Sequence, residues 1–453
     1  MTPRPTLPEP DDLYRRIRAR DAGLFPLGAA ATGRLSFQDA PRRMEREARD
    51  LARFADSVDE AEVAVIGVGV APLAAGALVA AHERVGGGDR RVRVCDVAEP
   101  TALDELALDT AFVVVVAAGE GRAPEGELLL AEALRRGRDP RRIAVVAPAH
   151  SRLAAQAHGA GVRRVFTQPA DAGDRFGALG VAGALPAALA GYDVAELCGR
   201  VIDVDGPAAV ALGLELAAEV GEGRHILALP LAESDAGLGP YLGALVAGAL
   251  GGERGGAVAL VAPPDAPGAP TALRRVLAPE HPARLGEAIA SVELAVVAAG
   301  YALGLDPFAG EQPAWRPDPA TTTAPPGPPA AVGGPEDLAA FLDERAGPED
   351  LCSVAIDLPA APPTLAALEG WLGARWAGAL LIGPGDRARH AWGALRSAGP
   401  TAGAVTLVSR RPVGPGALAA HHAAASRAEH ELLVRAERPV CRIALEDLEE
   451  LWS

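Results

Sequence analysis

The chain contains neither lysine nor asparagine among its 453 residues, so all 43 of its basic side chains are arginine. Both missing amino acids are encoded by AA-starting codons, and a GC-rich coding sequence accounts for the pair. The chemical consequence holds whatever the cause: no side-chain ammonium is present to hold a substrate or to take part in catalysis. Cysteine is scarce as well. Cys95, Cys198, Cys352 and Cys441 lie far apart with no C-x-x-C spacing, which leaves buried free thiols in a reducing cytoplasm as the expectation. The opening residues MTPRPTLPEPDD lack the basic-then-apolar pattern of a signal peptide. The charge-free stretch 236–252 is short and dotted with Gly and Pro, so no membrane span is expected. A formal charge of −16 argues against nucleic-acid or anionic-membrane partners, which need clustered cations. The pairs Arg42-Arg43, Arg135-Arg136, Arg141-Arg142 and Arg163-Arg164 are scattered and read as solvated faces.

What the sequence does hold is an ordinary globular balance, 49% apolar and 23% charged, over a length sufficient for two or three cores. Short β-branched runs at 63–67, 91–95, 111–117, 142–147 and 162–166 alternate with amphipathic stretches such as 126–138. Runs apolar throughout suit strands covered on both faces, as in a parallel sheet wrapped by helices. The expectation is a five-stranded doubly wound α/β domain. A second α/β unit is predicted from strands at 225–230, 257–263, 353–359, 378–384 and 404–409. Its helices are expected at 208–220, 241–250, 287–303, 335–346 and 364–374. Residues 313–335, rich in Pro, Thr and Gly, interrupt it as a linker. The expected division is therefore an N-terminal helical arm over 1–60, a first domain over 61–200, a second begun over 201–312 and completed over 336–453.

The stretch from Val165 to Val194 is the most specific. Gly173-Asp174-Arg175 sets an arginine in a tight glycine turn, and an uncharged Ala/Leu/Pro run follows. Val165, Phe166, Pro169, Asp171, Gly173, Arg175, Ala178, Leu179, Gly183, Pro186 to Leu189, Gly191 and Asp193 fall where glucose-6-phosphate isomerases read VF-x-x-P-x-D-x-GGRYSALS-x-x-GL-x-PAAL-x-G-x-D. The chain resembles that family over nearly its whole length, closest to the isomerase half of transaldolase/glucose-6-phosphate isomerase fusions. The resemblance implies two sugar isomerase domains, each a three-layer doubly wound α/β unit with a parallel sheet. It also implies a hexose phosphate ligand, a cytoplasmic place in glycolysis and gluconeogenesis, no cofactor, and a homodimer that completes the site.

The resemblance places the site residue by residue. The turn Gly67-Val68-Gly69-Val70-Ala71-Pro72 stands where the family has GIGGSS, a helix N-terminus suited to an anion. Gly67, Gly69 and Ala71 are its substrate-binding positions, but the family serines are Ala71 and Pro72. A dinucleotide turn would need a third glycine at Pro72; Asp96 stands where a ribose-binding acid would lie. Gly119-Glu120-Gly121-Arg122 occupies the place of the hydroxyl-rich loop SKSGTT, and Glu120 sets a like charge against a phosphate. Gly173 and Asp174 complete the binding set. Arg175 matches the arginine that steadies the enediolate; its structural alternative is a pairing with Asp174 or Asp171. His390 matches the ring-opening histidine, with Arg396 and Ser397 at a second histidine and a lysine.

The helical frame at 241–252 matches the family's W-L-E-Q-L-I-A-E-S-T-G-K, yet the proton-shuttling glutamate corresponds to Gly248 and the lysine to Gly252. Loss of a general base costs roughly 100- to 10,000-fold in rate. His421-His422 has no carboxylate at ligand spacing, so no metal is expected, and no Ser or Cys sits in a nucleophile-elbow context. Three possibilities stay open: a working isomerase, a non-catalytic homologue binding a sugar phosphate or a carbohydrate-metabolism enzyme, and a divergent enzyme using Glu120, Arg122 or Asp174.

Overall fold

A computed structural model describes residues 7–25, 33–84, 86–88, 90–119, 123–136, 139–169, 173–230, 237–251, 258–262, 284–309, 333–345, 351–358, 362–376, 378–399, 403–410 and 416–452. The first sheet has five parallel strands, β1 (Glu62–Gly67), β2 (Arg91–Cys95), β3 (Phe112–Val116), β4 (Ile143–Pro148) and β5 (Arg164–Gln168), in the order β2-β1-β3-β4-β5. The central strands FVVVV and IAVVAP are buried along their entire length. Their side chains alternate between two cores. Phe112, Val114 and Val116 pack with Leu51, Phe54 and Leu185 on one face, while Val113, Val115, Ile143 and Val145 pack with Leu129, Leu130 and Leu153 on the other. Each such buried Val or Ile contributes about 1.5–3 kcal/mol relative to exposure.

The second sheet is also parallel: β8 (Leu351–Asp357), β9 (Ala379–Pro384), β10 (Gly403–Ser409) and β11 (Val440–Leu445), ordered β11-β10-β8-β9. The α/β class and the flanking helices agree with the sequence-based expectation. Two details differ. The runs predicted at 225–230 and 257–263 form strands β6 (Ile226–Pro230) and β7 (Val258–Ala262), which pair with each other as a separate two-stranded sheet. An apolar run announces a strand but not its neighbour, because pairing partners are chosen by long-range contacts. The strand β11 is absent from the sequence-based expectation, since Arg442 breaks its apolar pattern; the fold buries that arginine, which donates to the Ser426 carbonyl at 3.0 Å. The expected linker at 313–335 lies almost wholly outside the described residues.

Between the sheets lies a helical layer built from Gly206–Gly221, Leu238–Leu250 and Leu285–Ala302. Asp205 starts the first of these by accepting the Ala208 N–H at 3.0 Å, with proline in the first turn. Leu285–Ala302 is long and apolar enough to cross a membrane, but it is two-thirds buried and packs against Gly206–Gly221 as a core helix. Leu238–Leu250 packs against Val70–Glu83, against β7 and against Gly385–Ala398, so it ties all three sheets together.

Candidate functional site

The turn after β1 is built for close approach. A side chain at Gly67 would stand 2.5 Å from the Val116 carbonyl, and Gly69 takes a φ of 99° to reverse the chain into the helix Val70–Glu83. The N–H groups at that helix start favour negative charge. They are already satisfied from within the chain. The Asp174 carboxylate accepts from Val70 N at 2.9 Å and from Ala71 N at 3.3 Å, and Asp174 is 1% exposed. Pro72 contributes no further donor. The family pattern has a second glycine where Asp174 stands. A buried carboxylate therefore occupies this helix N-terminus and takes up its Val70 and Ala71 N–H groups.

The next residue serves the same turn. Gly173 adopts a φ of 65°, and Arg175, buried, donates through Nη1 to the carbonyls of Pro307 at 3.1 Å and Ala309 at 2.6 Å. Phe176 packs its ring 4.9 Å from Phe308 and 5.3 Å from Phe37. The guanidinium thus fastens the turn to the segment after Leu285–Ala302 through backbone carbonyls, in addition to any carboxylate it faces. Asp171 lies outside the described residues, as do Glu120, Gly121, Arg122 and Gly252. Gly119 is described, at the end of the segment that follows β3.

Gly248 sits in Leu238–Leu250, a helix whose residues from Tyr241 to Leu250 are all buried. The position expected from the sequence to have lost a base is part of the core. A carboxylate does lie two turns away on the packing partner. Glu293 Oε1 accepts the Tyr241 hydroxyl at 3.0 Å and the Ala178 N–H at 3.4 Å. Burial pushes its pKa up to about 8 against those two hydrogen bonds, so it is largely protonated at neutral pH. No motif points to Glu293; its only sequence signal is an acid inside an apolar helical run.

A second polar group fills the junction between the two larger sheets, beyond the carboxyl ends of β2, β3, β8 and β9. Asp357, the last residue of β8, receives Arg389 Nη1 at 2.9 and 2.8 Å. Arg389 Nη2 donates to Asp386 Oδ1 at 2.7 Å, and Asp386 Oδ2 accepts the Ala98 N–H from the first lobe at 2.6 Å. His422 lies 3.3 Å from Asp357 and 3.5 Å from Asp386. Burial opposes its charge, but the two aspartates outweigh burial and push its pKa up to about 10. Arg387 clasps Asp96 with two bonds of 2.8 and 3.0 Å, so Asp96 is an interlobe ion-pair partner here.

His390 is buried on Gly385–Ala398, with Nε2 3.9 Å from Glu125; His421 Nε2 is 3.3 Å from the same oxygen. Burial would raise the Glu125 pKa, but the two histidines hold it down at about 2. The absence of nearby carboxylates for His421-His422 is thus corrected: the fold brings Glu125 to His421 from 296 residues away. Even so, no group of three or more candidate ligands able to hold a metal occurs among the described residues. Arg396, at the family's second histidine, is fully buried and donates to Glu429 at 2.8 Å and Thr406 at 3.1 Å, inside the second lobe.

Beside this junction a cavity of about 300 Å³ opens, lined by Glu99 and Glu105 from the first lobe and by Glu369, Leu358 and Pro384 from the second. Clefts outside the carboxyl ends of parallel strands are the usual ligand position in open α/β folds. Among the described residues the one arginine on its wall, Arg387, is already committed to Asp96. The predicted residues thus divide. Gly67, Gly69, Ala71, Gly173 and Asp174 come together at the β1 turn, with Arg175 beside them. His390 belongs to the interlobe junction, and Gly248 to the helical core.

No family model matches the chain, and no curated protein matches it. Solved structures do. Hypothetical protein TT0462 from Thermus thermophilus is 19% identical, with 66% of this chain and 90% of that chain covered at a TM-score of 0.52. A protein described as a phosphosugar isomerase from Silicibacter pomeroyi is 16% identical, covering 61% of this chain and 99% of that chain at a TM-score of 0.42. One described as a sugar-binding protein from Salmonella typhimurium is 18% identical, covering 50% of this chain and 72% of that chain at a TM-score of 0.36.

Proposed function

We propose that this chain is a glucose-6-phosphate isomerase homologue that keeps the two-lobed sugar isomerase frame without the aldose–ketose chemistry. What carries the proposal is the Asp174 carboxylate bonded to Val70 N and Ala71 N. An internal anion there excludes a phosphate by occupancy and by charge. Gly248, inside a buried helix, supplies no base. The division near residues 60, 200, 312 and 335, a cytoplasmic location, a homodimer and a carbohydrate-metabolism partner belong to the same proposal.

The test is a coupled assay with glucose 6-phosphate and fructose 6-phosphate on the purified chain. The expected result is no turnover above background and no thermal shift at millimolar hexose phosphate. Turnover that disappears in Arg175→Ala would overturn the proposal. In Asp174→Gly those N–H groups are freed, and inorganic phosphate should then raise the melting temperature where it leaves the parent unchanged.

A further inference from the structure

A cavity of about 240 Å³ lies between the N-terminal helices and Leu285–Ala302, and none of its lining residues belongs to the β1 turn or to the interlobe junction. Its walls combine apolar side chains, Phe37, Pro41, Val201, Ala290 and Leu294 among them, with polar and charged ones. One carboxyl group reaches it from the core. Glu293 lines this cavity and is 3% exposed, and both of its hydrogen bonds, from Tyr241 and Ala178, go to Oε1. Among the described residues no hydrogen bond reaches Oε2. Oε2 is therefore the carboxyl oxygen that the cavity reaches, open to a hydrogen bond from an occupant. At the other end the exposed Arg18 and Arg42 line the same cavity with the exposed Glu45, so its rim carries a net positive charge. Arg18 is fixed there by donation to Gln38 Oε1 at 3.3 Å.

These features specify a ligand by chemistry. An apolar body packs on the apolar side chains, a hydroxyl or carbonyl oxygen meets the carboxyl group in depth, and an anionic group meets the arginines outside. A ligand ammonium in depth would need an ionised Glu293, which costs desolvation of both charges. We infer that this cavity is a binding site for a small carboxylate with an apolar body and an oxygen function at its far end, held by Glu293 within and by Arg18 and Arg42 at the rim. The site is independent of the sugar isomerase proposal.

The test uses 4-hydroxybenzoate and benzoate as probes, with benzylamine as the cationic counterpart, in calorimetric titrations of the whole chain. 4-Hydroxybenzoate is expected to bind about tenfold tighter than benzoate, the worth of one buried hydrogen bond, and benzylamine is expected not to bind. Glu293→Leu should erase the difference between the two acids, while Glu293→Gln, which keeps a donor, should retain most of it. Arg42→Ala, a surface change that leaves the core intact, should weaken both acids about tenfold through loss of a charge-assisted contact. The inference falls if neither acid binds at millimolar concentration, if benzylamine binds instead, or if Arg42→Ala leaves affinity unchanged. Should Glu293→Leu fail to fold, the Gln and Arg42 variants still decide the matter.

Discussion

The two larger sheets are built by different physics. The first is closed by Val, Ile, Leu and Phe on both faces of β3 and β4, with few ions in its interior. The second buries Arg389, Arg396, Arg442, His422, Asp357, Asp386 and Glu429 around a smaller apolar cluster. Burying apolar surface is favourable at any ordinary pH. Buried ions hold only while each keeps its partner, because the desolvation penalty of an orphaned charge is large. The same fold class is thus secured once by packing and once by electrostatic matching, and the second solution is the one sensitive to pH and to single charge deletions.

The largest expected effect follows from removing the hub of that network. Arg389→Leu leaves Asp357 and Asp386 buried without their guanidinium and should cost about 3–5 kcal/mol. All five tryptophans lie after residue 312, so tryptophan fluorescence in a urea titration reports this half of the chain. Its midpoint should fall well below the transition followed by far-ultraviolet circular dichroism. A single unshifted transition would contradict the contrast between the sheets.

A pH series gives the next effect. His422 has its pKa raised, so its contribution is whole below its ordinary value of 6.5 and is lost as pH climbs towards about 10. Asp357 and Asp386 are shifted the other way. Burial would raise them, but Arg389 and His422 outweigh it, so their contribution is whole above 3.8 and fades as pH falls below that. Fluorescence-monitored stability should therefore peak between about pH 4 and 6.5 and decline on both sides. Glu293 adds a term of its own. Its pKa is raised from 4.5 to about 8, so folding loses stability as pH rises through that interval. Glu293→Gln should recover the loss, with a gain that grows from pH 5 to 8 in parallel thermal melts. The smallest effect belongs to the first sheet. Ile143→Val should cost about 0.5–1.5 kcal/mol, with no dependence on pH.

The contrast also governs what is legible in the sequence. The inner strands β1, β3 and β4 of the first sheet stand out because parallel, doubly covered strands are continuous apolar runs, whereas the edge strands β2 and β5 show only short β-branched pieces between arginines and polar residues. The turn at Gly173 to Arg175 stands out because its glycine and arginine carry a spaced pattern. The second sheet is harder to read. Arg442 hides β11 there, and outside that sheet the strands β6 and β7 read as any apolar run until their pairing is known. At the β1 turn the absence of serines and lysine is visible, but not that Asp174 folds back onto Val70 and Ala71 across 104 and 103 residues. Glu293 and Glu125 give no local signal, because their partners come from other elements.

The decisive observation is a crystal structure of the chain soaked with fructose 6-phosphate. The expected electron density keeps the Asp174 carboxylate on the Val70 and Ala71 N–H groups, with no phosphate on them. Phosphate oxygens bonded to those two N–H groups, with Asp174 swung aside, would contradict the loss of the phosphate site and return the chain to the working isomerases.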